Sequence, residues 1–138
     1  ETLKLRVTHM SNSARALAQV LEGNDKVARV FYPDLESHPQ FALAQKQMTG
    51  GSTLVAFALK GGKAEAFRFL NGLKIIEISN NLGDAKSLVT HPTTTTHRSM
   101  TEQDRLAIGV TDGLVRLSVG LEEEADLTAD ILAALAAV

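Results

Sequence analysis

A chain of 138 residues, 44% hydrophobic and 22% charged, has the size and mixture of one compact soluble domain. Its net charge of −2, single tyrosine and lack of tryptophan leave neither the basic footprint nor the stacking surface of a nucleic-acid binder. The absence of cysteine removes disulfides and a thiolate nucleophile and fits a reducing compartment, and no apolar run approaches the roughly 18–20 residues that cross a bilayer.

Leu3, Val7, Met10, Ala14, Leu17 and Leu21 follow alternating steps of four and three, so one apolar stripe runs down a long helix that ends near Gly23-Asn24. The repeat is too short to demand a coiled coil. Val27 to Tyr32 reads as a strand stopped by Pro33. Ser37-His38-Pro39 offers a capping hydroxyl and a proline suited to a first helical turn, which predicts a short helix from there to about Met48.

Gly50-Gly51 breaks the chain, and Thr53 to Leu59 is a strand by its β-branched and aromatic content, ended by Gly61-Gly62. Neither glycine pair is a phosphate cradle: Lys63 is followed by Ala64, and no Gly-x-Gly-x-x-Gly is present. Lys63 to Leu73 is expected to be helical with Ala66, Phe67, Leu70 and Leu73 inward, and Lys74 to Ser79 to return as a strand. Ser87 to Thr90 is a short strand. Ser99-Met100-Thr101-Glu102 has capping-box spacing before a helix over Thr101 to Ile108, which Gly109 stops. Glu122, Glu123, Glu124 and Asp126 place negative charge where a final helix begins, so the helix dipole accounts for the acidic run without a metal.

Leu114 to Gly120 carries a charged residue at the centre of an apolar strand. Period two puts Val115, Leu117 and Val119 on one face, the core face, and Leu114, Arg116 and Ser118 on the other. A guanidinium brings five donors, no acceptor and a permanent charge, so Arg116 requires an anion. An internal carboxylate or a bound ligand would serve. The four histidines, His9, His38, His91 and His97, lack metal-ligand spacing, and no metal site is expected. Strands alternating with helices over short loops predict an α/β (α+β) two-layer sandwich.

Asn81-Leu82-Gly83-Asp84 through Thr93 to His97, together with Gly113 to Glu122, resembles the C-terminal signature of the Cys/Met-metabolism family of pyridoxal-phosphate (PLP) enzymes. That family includes cystathionine γ-synthase, cystathionine γ-lyase, methionine γ-lyase and the homoserine-ester sulfhydrylases. The likeness extends through His38-Pro39-Gln40 and the Leu54-Val55-Ala56-Phe57 strand with its Lys60-Gly61-Gly62 turn, covering essentially the whole chain. It implies the small C-terminal domain of a fold type I (aspartate aminotransferase-like) enzyme, with a mainly antiparallel sheet and helices on one face. Residues 1–24 would then be the helix linking two domains and 25–138 the small domain. An N-terminal domain, absent from this chain, would hold the PLP. The opening residue, Glu1 where a start would read Met, suggests a cut; localisation is then not legible here and is implied by the family alone, as cytoplasmic.

The resemblance further implies that Arg116 binds the substrate α-carboxylate. Asn81 stands where the γ-synthases and γ-lyases usually carry Ser in Ser-Leu-Gly, a substrate-contacting position, and its Asn-Leu-Gly-Asp form is similar to the sulfhydrylase branch. Thr96 matches a threonine at the edge of the site. Taken alone, Asn81 would be a turn residue and the four threonines a loop with locally bonded hydroxyls. No catalytic or cofactor-binding residue falls in this chain, so His97 is not assigned as a general base, His91-Pro92 shapes the loop, and the piece alone is expected to be inactive. The implied reaction is γ-replacement of O-succinyl- or O-acetylhomoserine by sulfide, giving homocysteine for methionine synthesis, in a homo-oligomer, typically a tetramer. A γ-synthase or γ-lyase sharing Arg116 is one alternative. A free-standing ligand-binding or oligomerisation module, with Arg116 satisfied internally, is another.

Overall fold

A computed structural model describes residues 1–138. Helix α1 spans Leu3–Glu22 and buries Met10, Ala14, Leu17 and Leu21 of its stripe, while Leu3 and Val7 in the first two turns remain 66% and 39% exposed. Strand β1 (Val27–Phe31) follows. Tyr32, just beyond it, is fully buried, and its hydroxyl donates toward the Ser11 and Ser52 carbonyls at 3.2 and 2.9 Å. Helix α2 is Phe41–Gln47, later than the Ser37-His38-Pro39 reading. The Ser37 hydroxyl donates to the Glu22 carboxylate instead of capping, and turns fill the chain up to Gln40.

Strand β2 (Leu54–Leu59) leads into α3 (Lys63–Gly72), whose first turn is closed by the Glu65 carboxylate accepting the Gly62 N–H at 2.8 Å. The inward residues are Ala66, Phe69 and Leu70, not Phe67. Phe69 meets Phe57 edge-on at 5.4 Å in the core, whereas Phe67 is 38% exposed and stands edge-on to His91. Strand β3 is only Glu77–Ile78, shorter than the expected Lys74–Ser79 strand. Its missing half is a turn held by a distant side chain: Asp130 accepts the N–H groups of Lys74, Ile75 and Ile76 at 2.8, 3.0 and 3.1 Å.

Strand β4 (Leu88–Thr90) runs into a single 3₁₀ turn at Pro92–Thr94. Helix α4 (Glu102–Ala107) is capped by Thr101, whose hydroxyl accepts the Asp104 N–H at 3.2 Å, so the box begins at Thr101 and not at Ser99. Gly109 follows with φ +81°. Strand β5 (Leu114–Ser118) and α5 (Glu124–Leu135) complete the chain.

The strands form one five-stranded sheet ordered β1-β2-β5-β4-β3. The pairs β1–β2, β2–β5 and β5–β4 are antiparallel, and the β3–β4 edge pair is parallel, so the sheet is mixed but mainly antiparallel. Val55, Phe57, Leu59, Val89, Val115, Leu117 and Val119 join residues of α1, α3 and α5 in a core of 22 buried side chains. Each large aliphatic or aromatic member contributes about 1.5–3 kcal/mol by leaving water. The sandwich therefore has its helical layer on one face, as the alternation in β5 requires, and the other face of the sheet carries Arg116. No helix is long and apolar enough to cross a membrane.

Candidate functional site

Arg116 occupies the middle of the central strand, and its cross-strand neighbours are small: Ala56 on β2 and Thr90 on β4. Residues directly opposite in a sheet share a face, so Phe31, Ala56, Arg116 and Thr90 make one row across it. Small neighbours leave a long side chain room to leave the sheet. At the outer end of the row, the Arg29 guanidinium lies 4.7 Å from the centre of the Phe31 ring and is already engaged there.

The Arg116 side chain reaches toward the loop that follows β3. Its Nη2 donates to the carbonyls of Asn80 and Asn81 at 2.9 and 3.2 Å. Its Nε is buried and has no acceptor. The ion pairs of the chain lie elsewhere, between Arg15 and Asp34, Arg68 and Glu65, and Lys86 and Glu77. No internal carboxylate answers the charge. Desolvation lowers the Arg116 pKa from its ordinary value, yet a guanidinium remains cationic throughout the range in which proteins fold. Arg116 is thus a partly buried cation, held on one edge by two neutral carbonyls, whose charge no carboxylate of the chain offsets.

The other two expected site residues are placed differently. Asn81 meets Arg116 through its backbone carbonyl; its N–H donates to Ser79 Oγ, and the exposed side-chain amide makes no bond within the chain. Thr96 is exposed and pairs with His97 Nδ1 at 2.8 Å. The neighbouring Thr95 makes a 2.8 Å hydroxyl contact with Thr90, which lies in the Arg116 row. His91 is buried with both ring nitrogens engaged, Nδ1 with the Thr94 hydroxyl at 2.9 Å and Nε2 with the Asp112 carbonyl at 2.8 Å. Since a carbonyl only accepts, the proton is assigned to Nε2.

The Arg116 face of β5 continues beyond the strand as a seam that holds the same loop. Ser118 Oγ accepts the Gly83 N–H at 3.0 Å, and the Gly120 N–H donates to Ser87 Oγ at 2.8 Å. The Glu122 carboxylate accepts both the N–H and the hydroxyl of Ser87, at 2.7 and 2.8 Å, and the Leu121 N–H donates to the Ala85 carbonyl. Glu122 therefore belongs to the loop and not to the helix dipole, a correction to the reading of the acidic run. Only glycine fits at 120, where a Cβ would stand 2.4 Å from the Ala85 oxygen and the Lys86 carbonyl carbon. Sequence reasoning missed Ser87, Ser118 and Glu122 as partners; the period-two spacing of 116, 118, 120 and 122 was the available signal.

The N-termini of α3, α4 and α5 do not fit a phosphate-bearing cofactor. Glu65 fills the N-terminus of α3, Asp104 and Thr101 close that of α4, and α5 opens on Glu123, Glu124 and Asp126. Each of these would repel or exclude a phosphate from the backbone N–H groups that usually bind one. No cluster of three metal-ligating side chains is present.

A family model described as Cys/Met metabolism PLP-dependent enzyme matches residues 1–136. The chain is 55% identical to an O-succinylhomoserine sulfhydrylase of Mycobacterium tuberculosis over 98% of its length, which is 34% of that protein. It is 45% identical to an L-methionine gamma-lyase of Pseudomonas deceptionensis, over 100% of the chain and 35% of the relative. Among solved structures, cystathionine gamma synthase from Xanthomonas oryzae pv. oryzae in complex with aminoacrylate and cysteine superimposes with a TM-score of 0.93 at 39% identity, covering 98% of this chain and 35% of that one. The chain thus spans about a third of the length of the curated relatives it matches.

Proposed function

This chain belongs to the Cys/Met-metabolism family of PLP-dependent enzymes, and from that premise we propose that it supplies the substrate-carboxylate site of a homoserine-ester sulfhydrylase. The observation that carries the reading is Arg116: a partly buried central-strand cation held by two backbone carbonyls, with no carboxylate partner within the chain. An amino-acid substrate brings the missing anion. A planar guanidinium whose edge is fixed by two carbonyls presents its remaining donors to a carboxylate in a set direction, which a lysine point charge does not. In a site where a bond at Cα must be broken in a set orientation, that grip is worth catalytic rate as well as affinity.

PLP, when bound, provides the electron sink for the reaction. With the N-termini of α3, α4 and α5 occupied by acidic side chains, its binding residues are assigned in this reading to the part of the enzyme that corresponds to the two-thirds of the relatives this chain does not span. The sulfhydrylase assignment, acting on O-succinylhomoserine or its acetyl analogue, draws on Asn81-Leu82-Gly83-Asp84 and on the 55% identity to an O-succinylhomoserine sulfhydrylase. In this reading Asn81 acts through its backbone carbonyl on Arg116 and offers its unbonded amide to the substrate, and Thr96 is assigned to the site's edge.

The test uses the complete enzyme. Arg116→Lys should fold with an unchanged circular dichroism spectrum and lose about 10- to 100-fold in kcat/KM, the worth of charge-assisted bonds to a carboxylate. Unchanged kinetics would remove Arg116 from the site. Product analysis with O-succinylhomoserine should give homocysteine from sulfide; cystathionine from cysteine as the dominant product would assign a γ-synthase, and elimination alone a γ-lyase.

A further inference from the structure

Arg116 does not hold its own position; the loop in front of it does. Its Nη2 is fixed by the carbonyls of Asn80 and Asn81, and a carbonyl positions a donor only as well as its own backbone is positioned. That backbone leaves the two-residue strand β3 with little sheet support. The Ser79 N–H on the Val89 carbonyl and the Asn81 N–H on Ser79 Oγ tie its start, and the seam along β5 restrains the rest: Ser118 Oγ on the Gly83 N–H, the Leu121 N–H on the Ala85 carbonyl, and the Glu122 carboxylate with Gly120 on Ser87. Gly83 itself has φ +77°, which glycine adopts without strain, so the turn there does not by itself fix the loop. Successive residues on one side of β5 and its extension therefore do two jobs: the first presents the guanidinium, and the next ones clamp the loop that aims it.

We propose that Ser118, with the Ser87–Glu122 pair, is a positioning device that sets the Arg116 guanidinium for the substrate carboxylate by fixing the Asn80–Ser87 loop. The inference rests on the reading of Arg116 as the carboxylate ligand. Ser118 and Glu122 touch neither substrate nor cofactor in this account. Ser118 is fully buried, so its hydroxyl serves the loop and not solvent. Loss of either tie leaves Arg116 charged and present but free to swing, which weakens substrate binding more than it slows a bound substrate.

The experiment is a double-mutant cycle in the complete enzyme, read as KM for the homoserine ester. Ser118→Ala should raise KM about 5- to 30-fold, the worth of one or two buried hydrogen bonds, with kcat changed less than about twofold. Glu122→Ala should act in the same direction, and the two together should do little more than the larger single effect, since both free one loop. In an Arg116→Lys background the Ser118→Ala factor should shrink below about twofold, because the fork being aimed is gone. Tyr32→Phe, which removes hydrogen bonds on the helical side of the sheet, should lower stability without moving KM. A Ser118→Ala effect of equal size in both backgrounds would make Ser118 merely structural and overturn the inference, as would no effect with Arg116 intact. If Arg116→Lys itself leaves KM unchanged, the carboxylate reading has failed, a result distinct from either.

Discussion

Tyr32 shows how a single buried group sets a limit on the fold. Desolvation, reinforced by the nearby Asp34 carboxylate, raises its pKa from 10 to about 12, because the phenolate would be stranded where the neutral hydroxyl now donates to two carbonyls. A folded-state pKa above the unfolded one contributes stability that is whole below pH 10 and is lost as pH rises through 10 toward 12. The loss amounts to roughly 2–3 kcal/mol. Thermal unfolding followed from pH 8 to 12 should show that extra decline, and Tyr32→Phe should flatten it. Tyr32 is the only tyrosine and there is no tryptophan, so phenolate absorbance reports this ionisation directly; a midpoint near 10 would contradict the burial argument. At the same scale Arg116 was legible in sequence because a permanent charge at the centre of an alternating strand violates the local pattern. Its partners were not legible, since Asn80 and Asn81 are 36 and 35 residues away and contribute backbone oxygens, which carry no side-chain signature.

Among the elements, the long helix and the central strands could be read because their period reports one buried face without knowledge of the partner. Where two apolar residues compete for the inward position, as Phe67 and Phe69 do in α3, periodicity alone chose the wrong one; the Phe57 ring across the interface settles it. The short β3 was equally beyond reach. Asp130 on α5, more than 50 residues downstream, takes the three N–H groups that would otherwise enter a ladder, and thereby turns the chain from α3 into the sheet edge. A carboxylate accepting three backbone donors is a strong tie, and Asp130→Asn would turn an amide N–H toward at least one of them. We expect that substitution to cost about 2–3 kcal/mol in urea unfolding with an unchanged m-value, together with faster amide exchange at Lys74, Ile75 and Ile76. A shift below about 0.5 kcal/mol would mean that water replaces the carboxylate without penalty.

At the scale of the whole molecule, the sheet is closed on its helical side and its other side carries the candidate site. The first two turns of α1 leave Leu3, Leu5 and Val7 at 66, 74 and 39% exposure, so the apolar stripe outruns the core that this chain provides. The chain spans about a third of its relatives, and under the proposed function both features belong to a domain that would meet further protein, with Arg116 the residue it would bring there. That Arg116 recognises the substrate carboxylate is tested most directly by comparing kcat/KM for the homoserine ester and its α-carboxamide in the complete enzyme and in the neutral variant Arg116→Gln. The wild-type enzyme should prefer the carboxylate by about 10-fold or more, and the preference should fall to near unity in the variant. The same preference in both enzymes would contradict it.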